Sequence, residues 1–168
     1  NEFINNLNFS MTSKITNIDN IKNGVVNVQP IVNKLTPDFT DLPYPEIKNV
    51  PLVVYTNNII SILPPISVGD EVLLEFSQHS IFEYKNGNSE LHDAFCNDGL
   101  QLQNAIAKIG MSNKNTTPYN LNNYKNEINI NDLNIVMNKG QPNECLFILK
   151  QDGSAELKSS KLISNTET

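Results

Sequence analysis

Two groups of side chains in this sequence have the composition of a reactive centre. His92, Asp93 and Cys96 lie close together, and on a short helix His92 and Cys96 would share a face at i and i+4. A thiol beside an imidazole is the outline of a nucleophile and its base. Asp70, Ser77 and His79 form the second group. On a strand Ser77 and His79 point the same way, because side chains repeat every two residues. Neither group brings an oxyanion device or a third residue to orient the base. Metal chemistry is no better supplied. The two histidines are thirteen positions apart, there is no Cys-x-x-Cys, and Cys96 and Cys145 fit no zinc spacing. Glycine-rich phosphate loops are also missing. The sequence therefore predicts no enzyme, with no catalytic residue, no metal site and no cofactor.

The charge balance narrows the partners. The chain has 168 residues, a formal charge of −6 and twelve basic residues, all of them lysine. Without arginine it has no planar forks for phosphate or guanine. Between Asp70 and Asp98 the acids Asp70, Glu71, Glu75, Glu83, Glu90, Asp93 and Asp98 meet only Lys85. Nucleic acid binding needs the opposite balance and is not expected. Hydrophobic residues make up 39% of the chain, which suits one ordinary domain plus an appendage with little core of its own. No stretch is long and apolar enough to span a bilayer as a helix, and no basic-then-apolar leader is visible. Cys96 and Cys145 are accordingly expected as thiols in preference to a disulfide.

The elements that must position these residues are mostly short strands. Residues 1–12 read as an N-terminal arm, with Phe3, Ile4, Leu7 and Phe9 either docking it on a neighbour or lying on a frayed end. Strand signals recur at Ile15–Ile18, Val25–Val32, Val50–Tyr55, Ile59–Leu63 and Val72–Phe76, split by Lys22-Asn23-Gly24, Pro37-Asp38 and Asn57-Asn58. This rhythm predicts an all-β fold, a small antiparallel barrel of the OB type over residues 13–110. Leu100 to Ile109 is compatible with a short helix stopped by Gly110. Residues 111–142 read as an extended linker. Residues 143–168 form a C-terminal β segment, in which Cys145–Leu149 is continuously apolar and Asp152-Gly153 is a hairpin signal. A lone hairpin is marginal, so that apolar run needs partners.

Four phrases in order carry a family resemblance: Gly24-Val25-Val26-Asn27-Val28-Gln29-Pro30; Val50-Pro51-Leu52-Val53; Pro64-Pro65 through Gly69-Asp70-Glu71 to Phe76 and Ser80-Ile81; and Leu91-His92-Asp93-Ala94-Phe95. They resemble the N-terminal OB-fold domain of the central spike, the membrane-puncturing needle of contractile phage tails and related injection machines. The resemblance implies structural roles for Gln29, Pro30, Pro64, Pro65, Gly69, Asp70, Phe76, Ser80, His92, Asp93 and Phe95. It implies a homotrimer whose C-terminal segments begin an intertwined triple-stranded β-helix, with Phe147, Ile148, Leu149 and Leu157 as trimer contacts. The implied partners are tail hub and baseplate proteins, a separate tip protein and the host cell envelope. The implied location is the virion tail baseplate or an injection particle, assembled in the bacterial cytoplasm. The His-x-His motif by which spike tips of that family bind iron is absent here. The rival reading is an OB-fold module that binds oligosaccharide or single-stranded nucleic acid.

Overall fold

Alternation at period two builds the N-terminal part of the chain. The computed structural model describes residues 10–35, 41–56, 59, 61–87, 90 and 101–159. They divide into two compact units, Asn1–Met111 and Ser112–Thr168. In the first, β1 (Ser10–Asn17) buries Ser13 and Ile15, and β2 (Val25–Pro30) buries Val26, Val28 and Pro30. Two small strands, β3 (Asn33–Leu35) and β4 (Asp41–Pro43), pair only with each other. The chain re-enters the core in β5 (Ile47–Val53), leaves it as the hairpin β6 (Tyr55–Thr56) and β7 (Ser61–Ile62), and returns in β8 (Glu71–Phe76). A single turn of helix, α1 (Phe82–Lys85), precedes β9 (Ala105–Lys108).

The five core strands close into a barrel in the order β1-β2-β5-β9-β8, with β8 bonded back to β1. Only the β5–β9 pair is parallel. The all-β fold and the OB-like barrel expected from sequence are thus present. Register shifts between Ile15 and Asn17 and between Val26 and Val28 bulge two strands, and bulges bend strands as a small barrel requires. Ile15, Val26, Val28, Ile47, Val50, Val72, Leu74, Phe76, Ala105 and Ala107 fill the interior.

The helix expected over Leu100–Ile109 is corrected. Leu102–Asn104 is a 3₁₀ turn, and Ala105–Lys108 is a strand. In sequence Leu102, Ala105, Ile106 and Ile109 also fit one helical face, but the burial is that of a strand, with Ala105 and Ala107 buried and Ile106 and Lys108 not. Barrel closure decides between them: β9 hydrogen-bonds to β5 on one side and β8 on the other. Tertiary pairing overrides a weak local preference. Among the described residues the strand signal at Ile59–Leu63 likewise yields the short β7, outside the barrel.

The second unit is built on β10 (Leu133–Met137), β11 (Cys145–Leu149) and β12 (Ala155–Lys158). They form one antiparallel sheet with β11 in the middle. β10 lies inside residues 111–142, the range read from sequence as linker. Asp152-Gly153 does turn a hairpin. Gly153 sits at φ 84° and donates its amide to the Lys150 carbonyl, and Asp152 Oδ1 accepts from the Ser154 amide at 2.8 Å. No helix among the described residues is long and apolar enough to cross a membrane.

Candidate functional site

The C-terminal sheet has two unlike faces. Strand alternation puts Asn134, Val136, Leu146, Ile148, Glu156 and Lys158 on one side. Leu146 and Ile148 are buried there, and Lys150 pairs with Glu156 at 2.9 Å. The other side carries Leu133, Ile135 and Met137 from β10, Cys145, Phe147 and Leu149 from β11, and Ala155 and Leu157 from β12. Every one of these eight is apolar, and all but Cys145 are exposed. Ile135, Phe147 and Leu157 stand in one cross-strand row, so the apolar surface is continuous across the sheet. A continuous exposed apolar face marks an interaction surface more often than a tolerated accident.

The expected trimer contacts are therefore divided. Phe147, Leu149 and Leu157 share the apolar face, whereas Ile148 points the other way and is buried. The premise that Cys145–Leu149 lacks partners within its own chain is corrected at the level of the backbone. β11 is hydrogen-bonded on both sides, to β10 and to β12. What stays uncovered among the described residues is a face rather than an edge.

Glu144, just before β11, holds the opposite side together. Its side chain is buried, and its Oε1 accepts from the Lys125 amide at 3.0 Å, the Asn126 amide at 2.7 Å and Asn126 Nδ2 at 3.0 Å. Its Oε2 accepts from the Gly140 amide. Burial alone would raise this carboxyl. The Gly140, Asn126 and Lys125 amides and the Asn126 side chain outweigh that and hold its pKa at about 2. Gly140 has no room for a side chain, since a Cβ would lie 2.7 Å from the Asn123 carbonyl oxygen. The clasp pins residues 123–126 to the β10–β11 connection and leaves the apolar face untouched. Nothing in the sequence spacing distinguishes Glu144, because Lys125 and Asn126 are 19 and 18 residues upstream and the nearer partner, Gly140, offers only a backbone amide.

In the barrel unit the other sequence-selected residues shape turns and core. Gln29 Nε2 donates to the Tyr44 carbonyl at 2.7 Å, and Pro30 is buried at the end of β2 opposite Ser13. Pro64 and Pro65 follow β7 outside any regular element, and Gly69, at φ 96°, turns towards β8. Asp70 Oδ2 accepts from the Ser67 amide at 2.8 Å, while the Gly69 amide and Asp70 carbonyl bond to Ile15 on β1. Phe76 is in the core, and Ser80 Oγ accepts from the Phe82 amide at the start of α1. Ser77 Oγ accepts from the backbone amide of His79, so the grouping of Asp70, Ser77 and His79 is occupied with local turn bonds. His92, Asp93, Phe95 and Cys96 lie outside the described residues. Among the described residues no three His, Cys, Asp or Glu side chains gather as a metal site.

The barrel carries the decisive comparison. Residues 11–110 match the model of the phage protein Gp138 N-terminal domain. The chain belongs to this family. The Gp138 N-terminal domain match spans more than half of the sequence and includes all five barrel strands except the first residue of β1. A comparison with curated proteins gave no match. Membership in the Gp138 N-terminal domain family gives the chain a phage structural role and a virion-associated location.

Proposed function

We propose that this chain is the central spike subunit of a contractile phage tail or of a phage-derived injection particle. Three copies would pack the apolar faces of their C-terminal sheets against one another, and the barrel would seat the trimer under the tail hub. The single observation that carries this reading is the eight-residue apolar face on a chain of the Gp138 N-terminal domain family. Buried between copies, that face becomes a shared core, and association stabilises each protomer by mass action. The assembled needle would begin a β-helix with its edges covered, a construction that resists splaying. Sheath contraction would then drive a narrow, stiff trimer against the host envelope. Mechanics, not catalysis, would be the protein's contribution, with baseplate proteins and a separate tip protein as partners. The acidic balance argues against a nucleic acid partner.

The native mass of the full chain tests this reading. Sedimentation at micromolar concentration should give about three times 18.8 kDa. Ile135→Asp combined with Phe147→Asp should give a smaller species with the β circular dichroism retained, because carboxylates cannot be left unpaired in an apolar seam. A monomeric wild type would overturn the trimer, and a trimer that survives both charges would move its contacts elsewhere. Anisotropy with a single-stranded oligonucleotide should show no binding at physiological salt. Salt-sensitive binding would favour the rival OB-fold reading.

A further inference from the structure

The barrel unit carries a cavity of about 410 Å³ whose walls differ from the rest of this acidic chain. Four asparagines, Asn20, Asn23, Asn49 and Asn86, line it together with Lys85. Phe82 and Val25 supply its apolar surface. Among the described residues no carboxylate lines it.

Two of the donors are held in place by the fold. Val26 pairs with Val50 and Val28 with Ile47, so Lys48 and Asn49 together oppose the single residue Asn27. At this bulge Asn49 takes φ 52°, a left-handed conformation that asparagine tolerates better than most side chains. Its backbone amide donates to Asn27 Oδ1 at 3.1 Å, and its own Oδ1 accepts from Asn20 Nδ2 at 3.2 Å. Asn49 Nδ2 is left with no partner among the described residues. Lys85 is the second fixed donor. Its Nζ donates to the Gln103 carbonyl at 2.5 Å, which ties α1 to the approach to β9 and spends one of three hydrogens.

The charge of Lys85 selects the chemistry. It is the one base between Asp70 and Asp98, yet no carboxylate among the described residues pairs with it. The side chain is partly buried, and burial pushes its ammonium below the ordinary lysine value. A cation withdrawn from water ordinarily has a counter-charge, and this one has only a carbonyl. One positive charge among neutral amide donors matches a monoanion better than a phosphate group. Phe82, 63% exposed, offers a ring face to an apolar group attached to that anion. We propose that this cavity binds an organic carboxylate that carries an apolar group, its oxygens accepting from Lys85 Nζ and Asn49 Nδ2 and its apolar part resting on Phe82. The inference is independent of the spike reading, which uses the C-terminal sheet.

Saturation-transfer NMR on the full chain tests it, with 3-phenylpropionate, N-acetylphenylalanine and the neutral primary amide of each as probes. At least one of the two acids should bind with a Kd of about 1 mM, and its amide about tenfold more weakly. Tighter binding of N-acetylphenylalanine would point to the C-terminus of a polypeptide as the source, and tighter binding of 3-phenylpropionate to a free acid; both support the proposal. Inorganic phosphate at the same concentration should not displace the bound acid. Lys85→Met keeps the length of the side chain and should weaken binding about tenfold or more. Asn49→Gly keeps the positive φ and should also weaken it. Circular dichroism verifies the fold of each variant, and if Lys85→Met does not fold, Asn49→Gly decides. The native mass should stay that of the wild type, which separates this outcome from any failure of the spike reading. The proposal is overturned if neither acid binds, if the amides match the acids, if phosphate displaces them, or if a folded variant binds as the wild type does.

Discussion

Ile135 and Phe147 face each other across β10 and β11, 53% and 40% exposed, while the next pair along, Val136 and Leu146, faces the other way with Leu146 fully buried. One residue of register separates a finished face from an unfinished one. On the finished side the Glu144 clasp closes the sheet over its own chain. On the unfinished side, the described residues of the C-terminal unit supply no cover. That asymmetry gives the sheet a fold of its own and still leaves it a reason to associate.

Neighbouring truncations should therefore fail in different ways. Leu146→Ala removes a fully buried side chain and should cost about 2–5 kcal/mol in urea unfolding of the full chain. Phe147→Ala should cost the isolated sheet far less, yet lower the native mass in sedimentation at micromolar concentration. If Phe147→Ala unfolds the sheet as severely as Leu146→Ala without changing the mass, the apolar face has a structural purpose within one chain.

Glu144 makes the C-terminal unit sensitive to acid. Its folded pKa of about 2 lies below the ordinary value of 4.5 for this side chain, so the unfolded chain binds the proton first. The clasp's contribution is complete above about pH 4.5 and is lost as pH falls towards 2. Amide exchange at Ile148 should accelerate across that window. Glu144→Gln should remove most of this dependence and cost about 1.5–3 kcal/mol, the range for hydrogen bonds to a charged group. Unchanged acid sensitivity in Glu144→Gln would assign the effect to other carboxylates.

Which parts were legible follows from the physics of each signal. β1, β2 and β8 announce themselves because one face of each is buried and alternation records it, whereas β5 buries Ile47 and Val50, three residues apart. Asp152-Gly153 is legible because a tight turn demands a positive φ. Ala105–Lys108 is ambiguous in isolation: Leu102, Ala105, Ile106 and Ile109 also fit a helical face, and only the gap between β5 and β8 decides. The Glu144 clasp is invisible for a different reason. Its donors are mostly backbone amides, which every residue but proline carries, so no residue type marks them. The apolar face was half visible, in Phe147 and Leu149, but Leu133, Ile135 and Met137 join it only through the β10 register.

Inside the barrel, Ser13 is fully buried and its hydroxyl has no hydrogen-bond partner among the described residues. It sits on β1 between Pro30 and Val72, where both neighbouring strands are core strands. Removing a buried, unpaired hydroxyl removes a desolvation penalty, so Ser13→Ala should be neutral or stabilise the protein by about 1 kcal/mol. Thermal unfolding would measure it. A loss of stability would mean that the hydroxyl is satisfied in solution.

Phe76 and Ala105 are register partners on β8 and β9, a large side chain against a small one at the point where the barrel closes. Ala105 is wholly inaccessible, and Ala107 beside Leu74 repeats the arrangement. Alanine is needed here by volume, since the interior already holds Phe76 and the four valines Val26, Val28, Val50 and Val72. Ala105→Leu should overfill the core and cost about 1–3 kcal/mol, through forced rotamers or a displaced β9. Ala105→Leu with Phe76→Ala returns much of the lost volume and should recover part of that cost. Urea unfolding of the two single variants and the double variant gives the coupling directly. Simple additivity would mean that the two side chains do not compete for the same space, and the packing account of barrel closure would fail.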